Sequence, residues 1–405
     1  MAEGISWFPM ESYLTAEISA EAVRANLKLL RQCLAPGTGL CAVVKSDCYG
    51  LGVPILLPAI SELSDCLAVA TPEEAIELRR LGYKGKVLLL FPSGAYAEDG
   101  HKQHAWEELI ADNVTLTLVS AEDVEMVAAT AARLGVTAKV HVKIDTGMSR
   151  GGVGLGEALR LVNEIHGRPG IALGGLYTHF ASADEHDLKF TREQLGRFWQ
   201  AVEACGPREG LTLHAANSAA TIQVPESHFD MVRPGIAIYG YQPSEHMQRE
   251  LPLKPALRLW ARLMQVKNVP AGSSCGYGLT RMLNRDSRLG LVPVGYADGY
   301  FRSLSNRATM RVAGRDVPVV GLVSMDQTIV DLTDVPHARV GDPVEVISSD
   351  PTASNSAERL AKLAGTIPYE LISGIGRRAK RVAAEGEYVP AAQPSRAGHA
   401  AETPS

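Results

Sequence analysis

Between about residues 20 and 240 the chain alternates short apolar runs with amphipathic stretches. The apolar runs cover 40–44, 66–70, 87–91, 114–119, 140–144, 173–177, 211–214 and 229–232. Each is too short for a helix of ordinary length and suits a buried strand. Between them lie segments with helical periodicity. Residues 20–34 place Val23, Leu27, Leu30 and Leu34 on one face. Thr71-Pro72-Glu73-Glu74 and Ser120-Ala121-Glu122-Asp123 have the residue types of helix starts: a capping hydroxyl followed by early acids, with proline in the first turn of the former. Residues 187–205 predict a long helix around Trp199. Eight strand-like runs, most of them followed by a helix, predict a (β/α)8 TIM-like barrel rather than an open sheet.

After Tyr239-Gly240-Tyr241 the helical period stops. Runs at 256–269, 288–294, 309–312, 317–323, 328–332 and 343–347, separated by Gly, Pro and Asp turns, predict a mostly antiparallel β domain. One helix is expected at about 356–363. The α/β reading therefore divides the chain into a barrel at 12–245, a C-terminal β domain at 246–387 and a disordered tail at 388–405 rich in Pro, Ala and Ser.

Composition narrows the class. Apolar residues make up 46% and charged residues 21%, a globular balance. A net charge of −5 argues against a nucleic-acid partner. No apolar run approaches the roughly 20 residues that a membrane helix needs. The six cysteines include no Cys-x-x-Cys pair and do not make a disulfide scaffold, so a reduced, cytoplasmic enzyme is expected.

Charged and polar groups cluster where the predicted barrel strands end. Lys45 follows the first strand, and Tyr49 follows with Gly50 and Gly52. Lys143, Asp145 and Arg150 follow the fifth strand, and His179 follows the sixth. Asn217 and Ser218 follow the seventh; Arg233, Gly235 and Ile236 follow the eighth. Barrel enzymes place their chemistry at these strand ends and often bind phosphate after the last two strands. A strand-end lysine, its pKa lowered by burial, is a nucleophilic amine. A reactive amine beside a phosphate site suggests pyridoxal 5'-phosphate.

The sequence resembles the alanine racemases. The segments that carry the resemblance are AVVKSDCYGLG, VKIDTGMSRGGV, LYTHFASAD, HAANSAA, VRPGIAIYG, CGYGLT, VPVGYADGY, GLVSMDQ and IPYE, spread from residue 42 to residue 370. The resemblance implies that Lys45 carries the cofactor. It implies that Tyr49, Ser218, Gly235, Ile236 and Tyr369 hold the phosphate, with His179 and Asn217 in the same site, and that Arg233 faces the pyridine nitrogen. Arg150 and the Met325 backbone would hold the substrate carboxylate. Lys45 and Tyr277 would be the two bases, with Lys143, Tyr296 and Asp326 in support. It also implies a homodimer with shared sites, an amino-acid substrate and a role in supplying D-alanine for peptidoglycan. Lys143 matches a lysine that is often carbamylated in the family. For Tyr277 to act as a base near neutrality it needs cationic neighbours, and His179 and Arg233 are the candidates.

Some residues depart from the family pattern. Ser149 stands where glycine is usual, and the lysine motif reads KSDCYGLG. Rival readings are a serine or broader-specificity racemase, a decarboxylase of the same fold, and a non-catalytic cofactor carrier. The bulk of Tyr369 argues against large substrates. The racemase motif around Cys275 argues against the decarboxylase. The β domain carrying Tyr277 argues against the carrier.

Overall fold

A computed structural model describes residues 12–92, 100–207 and 209–384. Its first strand, β1 (Leu14–Ile18), is followed by eight parallel strands: β2 (Gly39–Val43), β3 (Cys66–Val69), β4 (Lys86–Pro92), β5 (Thr115–Leu118), β6 (Ala138–Lys143), β7 (Ile171–Tyr177), β8 (Thr212–His214) and β9 (Met231–Val232). They form one 8-stranded sheet in the order β8-β7-β6-β5-β4-β3-β2-β9. Backbone bonds from Asp230 N to Leu213 O (3.1 Å) and from Arg233 N to Ala216 O (2.8 Å) draw its two ends together into a nearly closed barrel. The predicted barrel is thus observed, with its last two strands trimmed to three and two residues.

Helices cover the outside. Ser19 caps Ala20–Gln32 by accepting from Ala22 N, and Val23, Leu27 and Leu30 are buried against the barrel. Thr71 and Glu74 form a capping box on Pro72–Arg80, and Ser120 and Asp123 form one on Ala121–Leu134. Strands covered on both faces need apolar residues on both, which is why they read as continuous runs. β3 is buried at every position.

The expected barrel segment 12–245 differs at its start. β1 belongs to the other sheet, pairing antiparallel with Leu257–Arg262 and parallel with Lys380–Ala383. Its alternation is the reason: Leu14, Ala16 and Ile18 are buried while Thr15 and Glu17 are partly exposed. That is a half-covered strand, not a barrel strand. The six-stranded sheet runs Arg315–Pro318, Thr309–Val312, Pro343–Ile347, Leu257–Arg262, β1, Lys380–Ala383. Gln265–Val269, Ser287–Val292 and Thr328–Asp331 form a three-stranded sheet. The β-rich run at 256–269 is made of two strands. Leu263 N bonds to Asp342 O and Met264 N to Leu291 O, so the chain changes sheets there. The tail expected at 388–405 lies outside the described residues. Among the described residues no helix is long and apolar enough to cross a membrane.

Candidate active site

Strand alternation decides which side chains enter the mouth of the barrel. Cys41, Val43, Cys66, Ala68, Leu88 and Met231 pack together as one cluster. Continuing the same parity brings Lys45 after Val43 and Arg233 after Met231. Lys143 and Tyr177 end β6 and β7. All four line a cavity of about 670 Å³ together with Tyr49, Arg150, His179, Asn217, Ser218, Gly235, Ile236 and Tyr369. Its described lining holds Lys45, Lys143, Arg150 and Arg233 and no carboxylate. Such a site favours a ligand that carries several negative charges.

Lys45 opens an unusual turn. Ser46, Asp47, Cys48 and Tyr49 all have φ between 53° and 57°. Left-handed backbone costs an L-residue roughly 1–2 kcal/mol, so the turn persists only because its surroundings hold it. Asp47 Oδ1 accepts from Val53 N (2.6 Å), and Arg381 donates to Gly50 O through Nε (3.1 Å) and Nη2 (3.0 Å). Burial, then the Arg150 charge, lowers the Lys45 ammonium pKa, against the opposing pull of Glu74. A larger share of the amine is then uncharged and nucleophilic.

The turn delivers Tyr49 to the far wall, where its ring lies 5.0 Å from that of Tyr239 and 6.1 Å from that of Tyr369. Ser218 is nearly fully buried, and its Oγ accepts from Gly235 N (2.8 Å) and Ala237 N (3.4 Å). Asn217 caps the short helix Ser218–Gln223 by accepting from Ala220 N (3.0 Å). A Cβ at Gly235 would overlap the Tyr49 hydroxyl. This cradle of hydroxyls and backbone amides beside a reactive amine fits the phosphate end of pyridoxal phosphate. Gly235→Ala is expected to push Tyr49 aside and weaken cofactor affinity by about ten- to a hundredfold. Fluorescence titration of the cofactor-free protein checks this; unchanged affinity would contradict it.

Arg233, 4% exposed, is fixed by its own bonds. Nη1 meets His214 Nδ1 at 2.8 Å; Nη2 donates to Thr178 O (2.8 Å) and Ala215 O (3.2 Å). A guanidinium only donates, so His214 Nδ1 accepts and the His214 proton sits on Nε2. That proton points at His141 Nδ1, 2.8 Å away. Burial, then Arg233, pushes His141 down to about 3, so the pair stays uncharged. Tyr177 stacks on His214 at 4.7 Å, with Arg233 over its ring at 5.1 Å. His179 corrects an expectation. Burial and then the charges of Arg233, Arg150, Lys143 and Lys45 hold it well below its ordinary value, so it lines the site as a neutral ring rather than a cation.

Asp145 Oδ1 accepts from Gly147 N (2.8 Å), Met148 N (2.9 Å) and Ser149 N (3.1 Å), shaping the loop that carries Arg150 to the cavity. Ser149 adopts φ 57°, the conformation that a glycine takes more easily. Burial, then Arg150 and Arg233, lowers Lys143 to about 8 from its ordinary 10.5. Between those values the unfolded chain binds more protons than the folded one, so stability rises with pH. The cofactor-free protein is expected to melt at higher temperature as pH passes from about 8 toward 10.5, and Lys143→Met to show a smaller rise. An equal rise in both proteins would contradict the assignment.

A second group of the expected residues lies elsewhere. Tyr277 is 70% exposed, between Gly276 and Gly278, at the tip of the hairpin Ser274–Cys275/Arg281–Met282. Met325 is 53% exposed, and Tyr296 is exposed too. Tyr296 N bonds to Ser324 O (3.1 Å) and Ala297 N to Met325 O (3.0 Å), so these two loops form one unit. Arg378 clamps it, reaching Asp298 and Asp326 at 2.7 Å each. None of Tyr277, Tyr296, Met325 or Asp326 lines the cavity of its own chain.

Residues 18–243 match the family model "Alanine racemase, N-terminal domain" and residues 256–383 match "Alanine racemase, C-terminal domain". The chain belongs to the alanine racemase family. The alanine racemase of Desulfovibrio desulfuricans is 40% identical over 374 residues, 91% of this chain and 98% of that one. The crystal structure of alanine racemase from Streptomyces lavendulae superposes with a TM-score of 0.85 at 36% identity, covering 93% of this chain and 98% of that one. The alanine racemase of Bartonella henselae, solved with covalently bound pyridoxal phosphate, gives 0.80 at 30% identity, covering 92% of this chain and 99% of that one.

Sequence reasoning missed several residues that shape the family's site in this chain. Glu74, Arg381 and His141 act from outside the strand-end motifs, and of these only Glu74 carried a signal, as part of a helix start. His214 ends β8 and opens the HAANSAA segment, but was given no role.

Proposed function

We propose that this chain interconverts L- and D-alanine on pyridoxal phosphate held by Lys45, in a homodimer whose active sites draw residues from both copies. The observation that carries the reading is the placement of Lys45 in a cavity lined by Lys143, Arg150 and Arg233, beside the Ser218–Gly235 cradle. When bound, the cofactor supplies the electron sink that takes up the electrons left on Cα as its proton departs. Tyr49, Tyr369, Ser218 and the amides of Gly235 and Ile236 would hold the phosphate, with Asn217 fixing the turn. Arg233 would face the ring nitrogen and could donate to it but not protonate it, because a guanidinium keeps its protons. By leaving that nitrogen unprotonated, Arg233 would weaken the electron sink and so disfavour side reactions. His179 adds a neutral ring to the wall. Arg150 binds the substrate carboxylate.

Racemisation needs proton carriers on opposite faces of Cα. Lys45 Nζ serves one face. The other belongs to Tyr277 Oη of a second copy, brought in with the Met325 amide, Tyr296 and Asp326. Exposure of Tyr277, Leu279, Met282 and Met325 supports an interface there, since an exposed apolar group marks a contact surface. Lys143, crowded by Arg150, is the candidate for carbamylation: its neutral amine adds CO2 and releases a proton. Free cysteines at all six positions support a reducing cytoplasm. The D-alanine would serve peptidoglycan synthesis. The serine or broad-specificity alternative is not favoured.

Borohydride treatment of the purified, yellow protein tests the reading. The expected result is one reduced cofactor adduct on the peptide containing Lys45. An adduct elsewhere, or a protein that stays colourless with added cofactor, would overturn it.

A further inference from the structure

Two helix starts in the barrel are built alike, and their one difference points toward Lys45. At Ala121–Leu134, Asp123 Oδ2 accepts from Val119 N (2.9 Å) and Ser120 N (3.1 Å), while Ser120 Oγ accepts from Asp123 N (3.1 Å). At Pro72–Arg80, Glu74 Oε2 accepts from Ala70 N (2.7 Å) and Thr71 N (3.2 Å), while Thr71 Oγ1 accepts from Glu74 N (3.4 Å). The remaining oxygens differ. Asp123 Oδ1 is buried with no partner. Glu74 Oε1 accepts from Ser46 N at 2.6 Å. The extra methylene of glutamate lets one oxygen complete the cap while the other reaches the neighbouring βα unit.

Ser46 N is the first amide after Lys45. Rotation about the Lys45 Cα–C bond swings that amide relative to the lysine side chain, so anchoring the amide fixes where the side chain points. The need for an anchor is plain from the backbone: the turn enters left-handed conformation at Ser46, with φ 53°. Its exit is held independently. Arg381 binds Gly50 O, and a Cβ at Gly50 would press on Ile372 O at 2.9 Å. At the entry, Glu74 supplies the side-chain acceptor, and its charge also opposes the lowering of the Lys45 pKa.

We propose that Glu74 is a positioning residue for Lys45: its carboxylate joins the cap of one helix to the amide that opens the lysine turn and thereby aims the amine. The role rests on the reading of Lys45 as the cofactor's attachment point. It predicts an effect on Lys45 that is separate from helix capping.

Glu74→Asp separates the two. The shorter acid caps its helix as Asp123 does but withdraws from Ser46. Its melting temperature is expected to stay near that of the wild type. Its cofactor-free form should take up pyridoxal phosphate into the borohydride-fixed Lys45 adduct about tenfold more slowly, as expected for loss of a charge-assisted hydrogen bond. Asp123→Ala is the control for a lost cap: lower melting temperature, uptake at the wild-type rate. Hydrogen exchange of the wild type provides a readout that needs no variant. The Ser46 amide in the cofactor-free protein should be protected like the β3 amides. Uptake by Glu74→Asp at the wild-type rate, equal slowing in Asp123→Ala, or an unprotected Ser46 amide would overturn the proposal. Failure of the wild type to form the Lys45 adduct would instead overturn the cofactor reading itself.

Discussion

Tyr277→Phe is expected to lose about 10²- to 10⁴-fold in alanine racemisation while keeping its cofactor, the range for removal of a general acid–base group. The substitution deletes one hydroxyl from a side chain that is 70% exposed in a single chain, so folding of that chain should be unaffected. The loss should also be one-sided. If Tyr277 serves the L-face and Lys45 the D-face, solvent deuterium still enters D-alanine and no longer enters L-alanine. Equal loss of exchange from both enantiomers, with cofactor bound, would refute the face assignment. Full activity would remove Tyr277 from the reaction.

Lys45→Ala is expected to have the larger effect, because it removes both the attachment point and the proton carrier of the other face. Activity should fall by more than about 10⁴-fold, since residues that act as a unit lose most of the rate when one is removed. The protein should also lose its visible band and fix no cofactor with borohydride. Folding should survive, as Lys45 is only half-buried and its charged form is disfavoured there. An exogenous amine restoring part of the activity would agree with this role. A yellow protein that still fixes cofactor on another lysine would contradict it.

How much of this was legible in the chain depended on where each residue's partners lie. The barrel strands were readable because parallel strands covered on both faces must be apolar throughout. The strand-end cations followed from the same pattern, since a charge directly after an apolar run has only the barrel mouth to enter. β1 was readable in principle: Leu14, Ala16 and Ile18 alternate with Thr15 and Glu17. Its partner strand lies more than two hundred residues away, and that pairing leaves no local trace. The left-handed turn was not readable at all. Ser46, Asp47, Cys48 and Tyr49 have no preference for positive φ as a set, and its anchors, Glu74 and Arg381, stand 28 and 331 positions from the residues they bind. The neutral state of His179 was hidden for a similar reason. Sequence shows a histidine near an arginine; only the packing shows that burial and several cations act on it together.

The central claim is that one active site is assembled from two copies of the chain. Mixing Lys45→Ala with Tyr277→Phe protein, after reversible dissociation, tests it most directly. In a mixed dimer with shared sites, one site carries both defects and the other carries none. Random exchange makes about half the dimers mixed, so about a quarter of wild-type activity should return. With Lys45 and Tyr277 working within one chain, every site in the mixture keeps a defect. Activity that stays at the level of the separate variants, with subunit exchange demonstrated, would contradict the account.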